Sequence, residues 1–96
     1  MLPAVSDMAK LFHIKITTPD KVAFDAKASS VTAPGEIGYL GVLADHAPLI
    51  TTLIPGRISI KDALGKRTVI TSTGGGFLEV LQNNVTVLLD SVKSPT

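Results

Sequence analysis

Ninety-six residues are room for one domain, and a domain this small buries only a modest core. With no cysteine in the chain, neither a disulfide nor a cysteine metal site can reinforce that core. Nine basic and eight acidic residues give a formal net charge of +1, so no global field draws in nucleic acid or anionic lipid. Three phenylalanines, one tyrosine and no tryptophan leave little on which bases or sugars could stack.

The hydrophobic fraction is 45% and the charged fraction only 18%. A small domain has a large surface for its volume, so part of this apolar excess must lie outside the core. It is either ordinary apolar surface or patches covered by partners. No stretch reaches the ~20 apolar residues of a membrane helix, and direct membrane insertion is not expected. Residues 1–9 lack the basic start and long apolar run of a signal peptide. They read as an arm ahead of a domain spanning 10–93, with 94–96 as a tail.

Valine, isoleucine and threonine supply 27 of the 96 residues, and these branched side chains favour strands over helices. Phe12, Ile14 and Ile16 alternate with His13, Lys15 and Thr17. Thr18-Pro19-Asp20 reads as a turn. Val22, Phe24, Ala26 and Ala28 continue the alternation on one face. The phase breaks at Ser29-Ser30, where a bulge or strand break is expected. Ile58 and Ile60 alternate with Arg57, Ser59 and Lys61. Asp62 to Gly65 has hairpin-loop composition, and Arg67 to Thr71 is its return strand. Phe77 to Leu81 is apolar on both faces apart from Glu79. Asn83-Asn84 supplies a tight turn, because asparagine tolerates positive φ. Val85, Val87 and Leu89 then share a face. Short strands at this spacing indicate a sandwich or barrel.

Catalytic chemistry is thinly supplied. The only histidines are His13, on the polar side of its strand, and His46. Two distant histidines without a carboxylate cluster do not make a metal site. Asp45 and His46 are adjacent in the chain, which rarely gives triad geometry. Gly65-Lys66 is followed by Arg67 where a phosphate loop needs Ser or Thr, and Ile60 stands where its first glycine belongs. Gly74-Gly75-Gly76 precedes a strand rather than a helix, so close packing or a bend between sheets explains it better than an anion nest.

Residues 34–56, PGEIGYLGVLADHAPLITTLIPG, are the most informative stretch. Glycines at 35, 38 and 41 allow tight turns and close backbone approach. Pro48 and Pro55 bracket a short apolar piece, and Glu36 and Asp45 are the only charged side chains. Such a segment folds back on the core or forms a contact surface.

This stretch resembles the hallmark of the epsilon subunit of F-type ATP synthases, called delta in mitochondria. The matching residues are Pro34-Gly35, Gly38, Gly41-Val42-Leu43, His46-Ala47-Pro48-Leu49, Thr51, Leu53 and Pro55-Gly56. GGGFLEVLQNNVTVLLD (74–90) and FHIKITTPDKVAFDAKASSVTAPG (12–35) extend the likeness over about residues 11–91. The resemblance implies an all-β fold, a flattened two-sheet β-sandwich of about ten short strands. It implies a non-catalytic central-stalk subunit without cofactors, docking gamma to the c ring and coupling proton transport to ATP synthesis beneath the alpha/beta head. It implies a peripheral location on the cytoplasmic face of the bacterial inner membrane.

The same resemblance assigns the c-ring and gamma contacts to Tyr39, His46, Ala47, Pro48, Leu49, Thr18 and Thr51. Tyr39 stands where the family often carries an acid, so the ring contact there is expected to rely on packing and a phenol hydrogen bond. Many bacterial members continue into a C-terminal helical hairpin of which this sequence shows no sign. Helix-mediated inhibition and nucleotide binding are therefore not carried over. The alternatives are a β-sandwich adaptor with unrelated partners and a metal-dependent β-domain enzyme.

Overall fold

The computed structural model describes residues 10–93. The assigned arm and tail, 1–9 and 94–96, fall outside the described residues. Nine strands follow in order: β1 (Phe12–Thr17), β2 (Val22–Ala28), β3 (Ser30–Gly35), β4 (Gly38–Leu43), β5 (Leu49–Leu53), β6 (Gly56–Lys61), β7 (Arg67–Ser72), β8 (Gly76–Leu81) and β9 (Asn84–Leu89). The all-β expectation therefore holds, with nine strands instead of about ten.

Hydrogen bonds link them in the order β2-β1-β9-β8-β5-β3-β6-β7, with β4 on the free side of β3. This path is nearly cut in two. β5 and β3 share a single register pair, Gly35 with Leu53. On one side of that joint lies a half-sheet β2-β1-β9-β8-β5, and on the other β4-β3-β6-β7. The curled sheet thus folds over itself as a sandwich. A second seam joins Ser72 of β7 to Val92, beyond β9.

Alternation explains the core. Phe12, Ile14 and Ile16 of β1 are buried, as are Leu78 and Val80 of β8 and Val85, Val87 and Leu89 of β9. Val31, Ala33, Val42, Ile58 and Ile60 bury the inner side of the other half-sheet. β1 runs parallel to β9 and antiparallel to β2. Ile14 is fully buried between Val85 and Ala26 in these registers. Its truncation to alanine leaves a void where three strands meet. Ile14→Ala is expected to cost about 3–4 kcal/mol, measured as a loss of urea midpoint at unchanged slope.

Two local expectations change. The sequence puts Val22 on the face of Phe24, but the register passes from Ile16↔Phe24 to Thr17↔Val22. Ala23 is the extra residue of a bulge, which turns Val22 outward beside Thr17. The phase break at Ser29 is a strand break: its amide donates to the Lys61 carbonyl at 2.7 Å. The second change is the β8–β9 turn, which lies at Gln82-Asn83 and not at Asn83-Asn84. Gln82 and Asn83 have φ of 48° and 62°, and Leu81 pairs with Asn84. A two-residue hairpin loop needs positive φ at both central positions, so Asn84 becomes the first strand residue.

Candidate interaction surface

The 34–56 segment forms an arch: the end of β3, the turn at Glu36-Ile37, β4, a loop over 44–48, and β5. Gly38 takes φ 131°, and a side chain on Gly35 would meet the Gly38 carbonyl at 2.8 Å, so both close the turn as glycine. A side chain on Gly41 would meet nothing within 4 Å, so its lack of one is not required by packing. The arch is not tucked away. Ile37 is fully exposed at the turn, and Tyr39, Leu43 and Ile50 are 63%, 64% and 71% exposed.

The loop over 44–48 is pinned from outside. Asp45 has φ 65°. Its amide donates to Asn83 Oδ1 at 2.6 Å, while Asn83 Nδ2 donates back to its carboxylate at 2.9 Å. Lys10 Nζ adds an ion pair to the same carboxylate at 3.1 Å. The hydrogen bond from Asn83 and the charge of Lys10 hold the Asp45 carboxyl below its ordinary range. His46 donates from its amide to the Leu43 carbonyl and from Nδ1 to the Ala47 carbonyl at 2.7 Å. Among the described residues its Nε2 has no hydrogen-bond partner. Asp45 and His46 thus engage different groups and form no relay.

A depressed carboxylate stabilises what it ties down above the ordinary range, and the effect is lost as pH falls through the lowered value. The loop is therefore expected to loosen only on acidification below the ordinary carboxylate range, read as faster exchange of the Asp45 amide. Asn83→Gly keeps the positive φ of the turn but deletes both hydrogen bonds. It is expected to produce the same loosening at neutral pH without lowering the melting temperature of the core.

The contact residues assigned from the sequence do not form one cluster. Tyr39 lies at the start of β4 and His46 beyond its end, and Tyr39 to Leu43 alone spans about 13 Å of extended chain. Ala47 and Pro48 are exposed beside His46, and Leu49 is half-buried. Thr18 sits in the β1–β2 turn, where its amide donates to the Lys21 carbonyl at 2.9 Å. Thr51 shares the inward side of β5 with Leu53 and faces Leu78 in the register. Ile50 and Thr52 are the β5 side chains that point to solvent.

A larger feature connects these positions. The registers align Thr52, Phe77, Leu88, Thr17 and Val22 in one row across five strands. All point outward from the first half-sheet. Phe77, Leu88 and Val22 are 56%, 52% and 52% exposed. Ile50 and Leu81 extend the apolar surface at the β5–β8 corner. Thr17, Thr18, Pro19, Phe77 and Leu88 line an open depression of about 370 Å³ at its end. The sequence carried part of this signal, since Phe77 to Leu81 is apolar on both faces. The outward turn of Val22 depends on the bulge and could not be read from alternation.

Among the described residues no three His, Asp or Glu side chains converge as metal ligands. A nine-stranded sandwich with an exposed apolar row and a pinned, sparsely charged arch is the build of a docking domain.

Comparison with known proteins specifies the class. The family described as ATP synthase, Delta/Epsilon chain, beta-sandwich domain matches residues 11–95, and the chain belongs to it. The ATP synthase epsilon chain of Koribacter versatilis is 42% identical over 88 residues, which are 92% of this chain and 61% of that one. That of Desulfosudis oleivorans is 37% identical over 86 residues, 90% of this chain and 64% of the relative. The chain thus spans under two-thirds of the length of these relatives. A chain of the Euglena gracilis mitochondrial ATP synthase superposes with a TM-score of 0.82 at 22% identity, over 88% of this chain and 53% of its own. A chain of the Tetrahymena thermophila mitochondrial ATP synthase central stalk and c-ring structure gives 0.72 at 18% identity, over 85% and 65%. At these identities the two structures show the shared fold.

Proposed function

We propose that this chain is a non-catalytic rotor subunit of an F-type ATP synthase, which docks gamma to the c ring and so couples proton transport to ATP synthesis beneath the alpha/beta head. The observation that carries the reading is the apolar row of Phe77, Leu88 and Val22, which no other part of the described chain covers. Family membership supports gamma and the c ring as the partners. Gamma would lie over this row, with Thr18 at its end and the His46–Leu49 loop near Ile50 and Leu81. The exposed turn at Ile37 with Tyr39 would face the c ring. Since about 13 Å of β4 separates Tyr39 from Leu43, a single ring loop would not touch both Tyr39 and His46. Thr51 would support this surface from its inner side, as Ile50 and Thr52 make the contact.

Torque transfer needs stiffness more than chemistry. Packed interiors deform little, so a sandwich clamped between two partners passes rotation from one to the other. The complex would hold the chain at the membrane surface, on the cytoplasmic face of a bacterial inner membrane, without insertion. Mixing the chain with gamma and the catalytic hexamer tests this. Co-elution at micromolar concentration is expected, and its absence would overturn the proposal. An adaptor with unrelated partners would leave the synthase unbound.

A further inference from the structure

The outer face of the other half-sheet has a different chemistry. β6 points Arg57, Ser59 and Lys61 outward, opposite Thr71, Val69 and Arg67 of β7. β3 adds Ser30 and Thr32 opposite Lys61 and Ser59, and β4 adds Gly41 opposite Thr32, flanked by the exposed side chains of Leu43 opposite Ser30 and Tyr39 at the far end. This face carries three cations and no carboxylate among those outward positions. The first half-sheet, by contrast, mixes His13, Lys15 and Lys27 with Asp25 and Glu79 on its outer face.

Three observations mark the cations as unsatisfied. The ion pairs among the described residues are Lys10–Asp45 and His13–Asp25, and neither involves this face. Lys61 and Arg67 stand directly across from each other, an arrangement of like charges that destabilises a hairpin. Asp62, in the adjoining loop, accepts on Oδ1 from the amides of Leu64 and Lys66 at 2.9 Å each, which holds its carboxylate over the turn, and it forms no ion pair with Lys61 or Arg67.

We infer that this face is a second docking surface, on the opposite half-sheet from the apolar row, and that its occupant is an acidic polypeptide segment. Four residues of extended strand place Arg57 about 13 Å from Lys61. The segment would therefore present one carboxylate to Arg57 and another to the Lys61–Arg67 pair. Between them Gly41, Thr32 and Ser59 form a low strip. Small side chains there let a backbone approach, and the hydroxyls can hydrogen-bond to it. Charge complementarity sets this choice. Lipid headgroups would use the hairpin end, with Lys61, Lys66 and Arg67, and leave Arg57 and the hydroxyl strip idle. Nucleic acid would want several stacking aromatics, and Tyr39 at the far end of β4 is the single one on this face among the described residues.

The test is titration of the isotopically labelled chain with an oligoglutamate peptide at low salt, followed by amide chemical shifts. Shifts are expected along β6 and β7 and at Thr32 and Gly41. Lys61→Glu with Arg67→Glu is expected to weaken binding at least about tenfold, and Lys15→Glu with Lys27→Glu to leave it unchanged. Should the reversed pair fail to fold, Lys61→Gln with Arg67→Gln reads the same outcome. Shifts spread evenly over Lys15, Lys27 and Lys93 would overturn the inference. So would an unaffected double variant, or binding to phosphatidylglycerol vesicles without a response to the peptide.

Discussion

Phe77→Asp together with Leu88→Asp is expected to abolish co-elution with gamma while leaving the chain folded, at a melting temperature lowered by the two like charges that then face each other across β8 and β9. The two residues are register partners on β8 and β9, and both point away from the core. Each keeps about half its surface in water, 56% and 52%. Covering a whole large apolar side chain gains about 1.5–3 kcal/mol, so the exposed half of each offers ~1 kcal/mol or more to a partner. Aspartate removes that gain and adds two charges that an apolar interface must desolvate without counter-ions, a further cost of several kcal/mol. Affinity should fall by at least about a hundredfold, since each ~1.4 kcal/mol is tenfold. Folding is spared because Leu78, Val80, Val85 and Val87, on the inner side of the same strands, are untouched. Calorimetry for the loss of binding and circular dichroism for retained structure separate the two effects. Unchanged gamma affinity would remove the apolar row from the proposed interface.

Gly76→Ala should unfold or nearly unfold the domain. Gly76 opens β8 between Leu53 of β5 and Leu89 of β9. A side-chain carbon there would sit 1.9 Å from the Leu88 carbonyl oxygen and 3.0 Å from the Leu89 Cα. Those are backbone atoms of a central strand, so they cannot swing aside as a flexible side chain would. Relief requires β8 and β9 to part where the two halves of the sandwich are joined through Leu53 and Gly35. A cost of about 4 kcal/mol or more is expected, a large share of the ~5–15 kcal/mol that holds a small domain together. The melting temperature should drop by about 15–30 °C. Gly41→Ala is the control, because open space surrounds that position, and it should stay within about 0.5 kcal/mol of the parent. A Gly76→Ala protein as stable as the control would show that the strands part at little cost.

The glycine run was legible as a packing feature and not as an anion nest. Gly74 and Gly75 are also crowded, by the Asp90 side chain at 2.8 Å and the Leu53 carbonyl at 3.0 Å. Strands with clean alternation were legible too. Phe12-Ile14-Ile16, Ile58-Ile60 and Val85-Val87-Leu89 are all buried as their spacing predicts. Boundaries fixed by pairing geometry were less so. The β8–β9 turn moved by one residue because a two-residue loop imposes positive φ on whichever pair the register selects, even on Gln82. Apart from Thr18, the assigned contact residues were named from a motif that is continuous in sequence. In space β4 holds Tyr39 and His46 apart, and strand parity turns Thr51 inward.

Alternating side chains, branched residues and glycine-proline punctuation determined that this chain forms short strands, because those preferences act within a few residues. The motif over 34–56 determined its family. Which strands pair, and hence which side chains share a face, was decided only by the tertiary structure. The parallel joining of β1 to β9 links residues some seventy positions apart. The apolar row and the basic face exist only once such pairings and the Ala23 bulge bring distant residues into line. Local sequence fixes each strand's two sides, but register fixes what those sides add up to.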